Sequence, residues 1–115
     1  MTSVTIYHNP RCSKSRQTLA LLEEQDLDIK IIPYLESPPN AGTLKNIVKL
    51  LGVNAMDIVR TGEEEYKSSG LSKDSDDDTA INAIVKSPKL MQRPIVVTDK
   101  GARIGRPPES VLEII

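Results

Sequence analysis

Residues 7–16, Tyr7-His8-Asn9-Pro10-Arg11-Cys12-Ser13-Lys14-Ser15-Arg16, bring a thiol, an imidazole, hydroxyls and cations into one short stretch. The stretch follows an apolar, β-branched run and precedes a helical pattern, and Cys12 is the only cysteine in the chain. A thiol at a strand-to-helix junction lies near the first unpaired helix N–H groups, whose partial positive charge favours thiolate over thiol. Arg11, Lys14 and Arg16 add positive charge, and Ser13 and Ser15 add hydroxyl donors. His8 either steadies an anion while protonated or carries a proton to or from it. An unpaired cysteine usually serves as a small buried hydrophobe. Polar and cationic neighbours on both sides suit an anion better than a packing residue, so Cys12 reads as a nucleophile with a pKa below the value of about 8.5 for a free thiol.

The elements that position this thiol follow from periodicity. Residues 3–7 are β-branched and aromatic with alternating character, a strand that ends at His8 because Pro10 blocks its continuation. Residues 13–25 place Thr18, Leu19 and Leu22 on one helical face, and residues 28–33 form a second strand closed by Pro33. This β-α-β order implies a right-handed crossover between parallel strands, with the Cys12 loop at their carboxyl end, where open α/β sheets build their sites. Leu44, Ile47, Val48 and Leu51 recur at helical spacing after a Thr43 cap and stop at Gly52, and a short helix is predicted over 55–59. The acidic runs at 63–65 and 74–78 read as solvated loops, the second introducing a helix over 79–86 with Ile81, Ile84 and Val85 inward. The aspartates lack the Asp-x-Asp-x-Asp-Gly…Glu calcium pattern, and no metal site is expected. Residues 94–98 form a strand, 99–101 a hairpin turn and 102–105 the returning strand. Pro107-Pro108 then opens a last helix with Val111, Leu112 and Ile115 inward.

A β-α-β unit, a helical middle and a β-β-α unit describe an α/β, thioredoxin-like (glutaredoxin-like) fold: a mixed four-stranded sheet carrying a helical insertion. The chain of 115 residues fits one domain, with residues 1–40 and 89–115 as the core and 41–88 as the insertion. Pro94 stands where that fold commonly has a cis-proline, and the sequence leaves its isomer open. Phe and Trp are absent, so the core is built from Ile, Leu, Val and Ala with three Tyr and three Met. Fifteen basic residues against 16 acidic ones give no global field for nucleic acid or membrane. No apolar run approaches the ~20 residues of a membrane span. With one cysteine there is no internal disulfide, no CxxC pair and no cysteine-rich zinc site, and a reducing cytoplasm is the expected setting.

Three arginines fall where they would face the thiol: Arg60 after the second inserted helix, Arg93 just before the third strand, and Arg106 just after the fourth. Proline follows both Arg93 and Arg106 and biases each to an extended backbone. Planar guanidinium groups converging on one sulfur would hold a tetrahedral oxyanion by paired hydrogen bonds.

Ile6-Tyr7-His8-Asn9-Pro10 with Cys12 and Ser15-Arg16, Tyr34-Leu35-Glu36 with Pro38-Pro39, Arg60, Arg93-Pro94-Ile95-Val96-Val97 and Arg106-Pro107 run nearly end to end. In that order and spacing they resemble the glutaredoxin-coupled arsenate reductases. The resemblance implies that Cys12 attacks arsenate to form a covalent thiol-arsenate adduct, that Arg60, Arg93 and Arg106 bind and polarise the oxyanion, and that His8 and Ser15 tune the thiolate. It further implies reduction to arsenite by glutathione, resolution of the mixed disulfide by glutaredoxin, no bound cofactor, and a cytoplasmic monomer serving arsenic detoxification. The chemistry is consistent: arsenate must lose an oxygen as water under attack, which requires cations and a proton donor. A protein without a second thiol needs an external one. The Cys-x5-Arg loop of phosphatase-like arsenate reductases is absent.

Two alternatives remain open in the sequence. Redox-responsive regulators of the same fold bind RNA polymerase and often carry a CxxC switch, where this chain has Ser15 in place of the second cysteine. A thiol oxidoreductase acting on another substrate would use Cys12 without needing the arginines.

Overall fold

The computed structural model describes residues 2–115. It divides into two compact units, one comprising the chain through Ser37 together with Arg93–Ile115, the other Pro38–Gln92. The segmentation expected from sequence put these changeovers after residue 40 and before residue 89.

In the first unit, β1 (Thr2–His8), α1 (Ser13–Glu23) and β2 (Leu27–Pro33) form the β-α-β half, and β3 (Ile95–Thr98), β4 (Gly101–Ile104) and a 3-10 helix (Pro108–Ile114) form the other. Among the described residues the sheet has four strands in the order β2-β1-β3-β4. β1 pairs with β2 in parallel, from Thr2 opposite Leu27 to His8 opposite Pro33. β3 runs antiparallel to both β1 and β4. Alternation turns Val4 and Ile6 of β1 to one face, where they pack with Val96, with Leu22 of α1, and with Val111 and Ile114 of the 3-10 helix. Removing such aliphatic surface from water contributes roughly 1.5–3 kcal/mol per side chain.

The last helix differs from the expected one in its period. A 3-10 helix repeats every three residues, which buries Pro108, Val111 and Ile114. Leu112 is therefore exposed, and Ile115 only partly covered, although an α-helical period had turned both inward. The Arg93–Pro94 and Arg106–Pro107 peptide bonds are both cis.

Gly105 fixes the approach of α1 to the ends of β3 and β4. Its N–H donates to the Pro94 carbonyl at 2.9 Å, and a Cβ there would collide with Thr18 Oγ1 and with Pro94 Cγ. Gly105→Ala is expected to destabilise the protein by about 1–3 kcal/mol, as overpacking does. Urea unfolding checks this, and a midpoint equal to that of the wild type would show that the contact yields freely.

The second unit holds α2 (Ala41–Leu51), a 3-10 helix (Ala55–Ile58), α3 (Glu64–Ser69), α4 (Asp77–Lys86) and a 3-10 turn (Pro88–Leu90). Its buried side chains include Leu44, Ile47, Ile58, Ile81, Ile84, Leu90 and Met91. Asn40, not Thr43, caps α2: its side chain accepts the Thr43 N–H at 2.8 Å, and the helix starts at Ala41. Gly52 ends α2 in the left-handed conformation, as expected. The 3-10 form replaces the short helix read over 55–59, with Val59 pairing with Met91 in an isolated bridge. α3, read from sequence as loop, is a helix with Glu64 and Glu65 in its first turn and Gly70 as its left-handed stop. α4 begins at Asp77 and buries Ala80, Ile81 and Ile84, leaving Val85 off the buried stripe.

The aspartates serve the backbone. Asp76 Oδ1 accepts the Thr79 N–H at 2.8 Å as the cap of α4, and Asp77 Oδ1 accepts the Ala55 N–H at 2.9 Å. No cluster of three or more His, Cys, Asp or Glu side chains suited to a metal occurs among the described residues. No helix among them is long and apolar enough to cross a membrane.

Candidate active site

Cys12 is the N-cap of α1, with extended backbone, and its carbonyl accepts the Arg16 N–H at 3.0 Å to open the helix. Its side chain is half-buried. Burial alone would push the thiol up. The Ser15 backbone N–H, the Arg93 side chain, the Lys14 backbone N–H and the Arg106 charge more than offset this, and the pKa lies below the ordinary value. Arg106 Nη2 donates to Cys12 Sγ at 3.4 Å, and Arg106 Nε donates to the Arg93 carbonyl at 2.9 Å. One guanidinium thus joins the sulfur to the segment that carries the other arginine.

The cations that lower the thiol come from far along the chain. Arg11, Lys14 and Arg16, the loop's own cations, are exposed, and Arg16 Nη1 is bonded to the Pro10 carbonyl at 2.8 Å, holding the loop closed.

Ser15 is fully buried. Its Oγ accepts the Asn9 N–H at 3.0 Å and lies 2.7 Å from His8 Nδ1. This arrangement favours donation of the hydroxyl proton to Nδ1 and leaves the ring proton on Nε2. The hydroxyl therefore turns to His8, while it is the backbone N–H of Ser15 that acts on the sulfur. Burial and the Arg16 charge, partly opposed by Glu23, hold the His8 imidazole below its ordinary value. At neutral pH His8 is a neutral ring suited to proton transfer, not the imidazolium that the sequence had offered as one option.

The first unit thus brings together His8, Cys12, Ser15, Arg93 and Arg106. Arg60 belongs to the second unit, where it follows the 3-10 helix Ala55–Ile58; its N–H donates to the Leu90 carbonyl and its Nε to Glu63 Oε1 at 3.2 Å. Two contributors went unread in the sequence. Asn9 is buried, and its Oδ1 accepts the Arg11 N–H at 3.0 Å, shaping the loop. Tyr34, wholly buried after Pro33, acts electrostatically on the Arg93 guanidinium. The parallel register that sets Pro33 opposite His8 is the signal that places Tyr34 beside the loop.

Fold and site together define a thioredoxin-like protein with a single activated thiol. The chain belongs to the ArsC family, whose model matches residues 7–114. It is 52% identical over 114 residues to "Uncharacterized protein YfgD" of Escherichia coli (strain K12), covering 97% of this chain and 96% of that protein. It is 39% identical over 117 residues to a protein of Neisseria meningitidis (serogroup A / serotype 4A) named "Arsenate reductase", covering 100% of both. The solved structure of "Arsenate reductase from Vibrio cholerae" superposes with a TM-score of 0.93 at 49% identity, over 99% of this chain and 98% of that one.

Proposed function

We propose that this protein reduces arsenate to arsenite at Cys12, with glutathione as reductant and glutaredoxin as the partner that regenerates the thiol. The observation that carries the reading is a thiol held below its ordinary pKa with the Arg106 guanidinium 3.4 Å from its sulfur and the Arg93 side chain bonded to it. Membership of the ArsC family and relatives named arsenate reductase support arsenate as the oxyanion. In this scheme Arg93 and Arg106 hold the anion and stabilise charge as it builds.

The Cys12 thiolate attacks arsenic, and one arsenate oxygen departs as water after protonation, with His8 assigned to proton transfer and Ser15 to orienting it. Glutathione thiolate then attacks the Cys12 sulfur. The S–As electron pair passes to arsenic, which leaves as arsenite, and Cys12 is left as a mixed disulfide with glutathione. With one cysteine in the chain, a second protein thiol must attack the glutathione sulfur and release Cys12. The electrons come from the two external thiols, so no resident cofactor enters, and a reducing cytoplasm supplies the reductant.

The experiment is arsenite formation by the purified protein with glutathione and glutaredoxin, each omitted in turn. Turnover is expected only with both. Turnover without glutathione would overturn the reductant, and none with the full system would overturn the substrate.

A further inference from the structure

β1 has a strand on either side. On one lie β3 and β4, whose flanking segments bring Arg93 and Arg106 to the site, Arg106 Nη2 standing 3.4 Å from the Cys12 sulfur. On the other lies β2. There, between loop residues 8–11 and the chain just past β2, is a cavity of about 270 Å³ that the proposed reaction does not use. The Glu36 and Ser37 N–H groups both donate to the Pro33 carbonyl at 2.9 Å, a turn that sets Leu35 and Glu36 in the cavity wall. Pro10, Pro33 and Leu35 give the cavity an apolar surface, and Leu35 is 41% exposed. Arg11 and Glu36, both exposed, add charges of opposite sign. Asn9 Oδ1 is taken by the Arg11 N–H and His8 Nδ1 by the Ser15 hydroxyl, so the groups these two lining residues offer a ligand are Asn9 Nδ2 and His8 Nε2.

We propose that this cavity seats the γ-glutamyl arm of glutathione, Glu36 taking its ammonium and Arg11 with Asn9 Nδ2 its carboxylate. The proposal rests on the reading of glutathione as reductant and adds the side from which that thiol arrives. Displacement at a divalent sulfur runs in line, the entering thiolate opposite the departing atom. Arsenic bonded to Cys12 is held on the arginine side, so the entering sulfur must come from the other, and the cavity lies on that side. The γ-glutamyl arm carries an ammonium and a carboxylate on one carbon, and Glu36 and Arg11 complement that pair. Small-molecule sites usually run from about 300 to 1,000 Å³, so this one suits a single arm of a tripeptide. An extended tripeptide reaches about 10 Å, which leaves length for the thiol to pass on to Cys12, the residue next to Arg11.

The probe is S-methylglutathione, which cannot react with Cys12, titrated to millimolar concentration into the wild-type protein and followed by amide nitrogen–proton NMR shifts. Shifts at Asn9, Arg11, Leu35 and Glu36 are expected to exceed those at Arg93 and Arg106. S-methylcysteinylglycine, which lacks the γ-glutamyl arm, is expected to move the same amides little. Shifts centred on Arg93 and Arg106, no shifts, or equal shifts from the two probes would overturn the proposal. Glu36→Gln alters an exposed side chain, and it is expected to raise the Kd for the probe and the KM for glutathione about two- to fivefold, the scale of an exposed ion pair. The KM for arsenate and the Cys12 alkylation midpoint are expected to stay at their wild-type values. An unchanged Kd in this variant also refutes the assignment. The titration contains no arsenate and needs no turnover, so probe binding without arsenite formation sinks the substrate alone, and turnover with the probe bound elsewhere sinks the cavity alone.

Discussion

Replacing Cys12 by serine is expected to lower arsenite formation on the order of 10⁴-fold or more, because a hydroxyl at neutral pH offers neither the anion nor the leaving sulfur that two successive displacements require. Arsenate binding, measured by isothermal calorimetry, is expected to survive, since Arg93 and Arg106 remain. Loss of binding together with turnover would mean that the sulfur holds the arginines in place. The wild-type protein should alkylate at its one cysteine with a midpoint below the free-thiol value of about 8.5. The sign of the stability effect follows. A thiol whose folded pKa is depressed contributes stability that is complete above the unfolded value and is lost as pH falls through the folded one. The difference in thermal midpoint between wild type and Cys12→Ser should therefore widen as pH rises through that window and vanish below it. A difference that is flat with pH would contradict the electrostatic account of the thiol.

Arg106→Ala is the second large effect. This side chain acts from two nitrogens at once, Nε on the Arg93 carbonyl and Nη2 on Cys12 Sγ. Its loss removes a charge that lowers the thiol and a donor to the oxyanion, and kcat/KM for arsenate is expected to fall about 10²- to 10³-fold, the scale for one preorganised donor to developing charge. Arg106→Lys is expected to recover little, because one ammonium cannot reproduce a planar fork with both contacts. Steady-state kinetics with glutathione and glutaredoxin in excess decides it. An alanine variant within threefold of wild type, or full rescue by lysine, would show that Arg106 contributes charge alone or nothing.

Strand and helix order, the parallel β1–β2 pair, the mixed sheet and Cys12 at a helix mouth were legible because each rests on local pattern: alternation, helical spacing, and proline or glycine stops. Leu112 and Val85 were misplaced because a helical pattern does not announce whether its turn is α or 3-10, nor the phase at which burial starts. α3 was missed although Glu64, Glu65 and Gly70 carry the same dipole and stop signals that located α4 and ended α2. At the site, the identities of Arg93 and Arg106 could be read, but the partition of labour could not. Arg11, Lys14 and Arg16 were read as adding charge beside the thiol, and only tertiary pairing shows that they stay exposed while Arg93 and Arg106 act on it. The Ser15 hydroxyl looked like a donor to sulfur until the buried His8 ring appeared as its partner.

Arg106 and Cys12 are 94 residues apart in sequence. On a growing polypeptide the cysteine is made early and the fourth strand late, so the share of the thiol's activation that Arg106 supplies is missing until the closing hairpin docks. Full nucleophilicity is thereby conditional on completed folding: a molecule whose hairpin has not docked reacts more slowly, and the rate of alkylation at neutral pH reports on how much of a preparation is native.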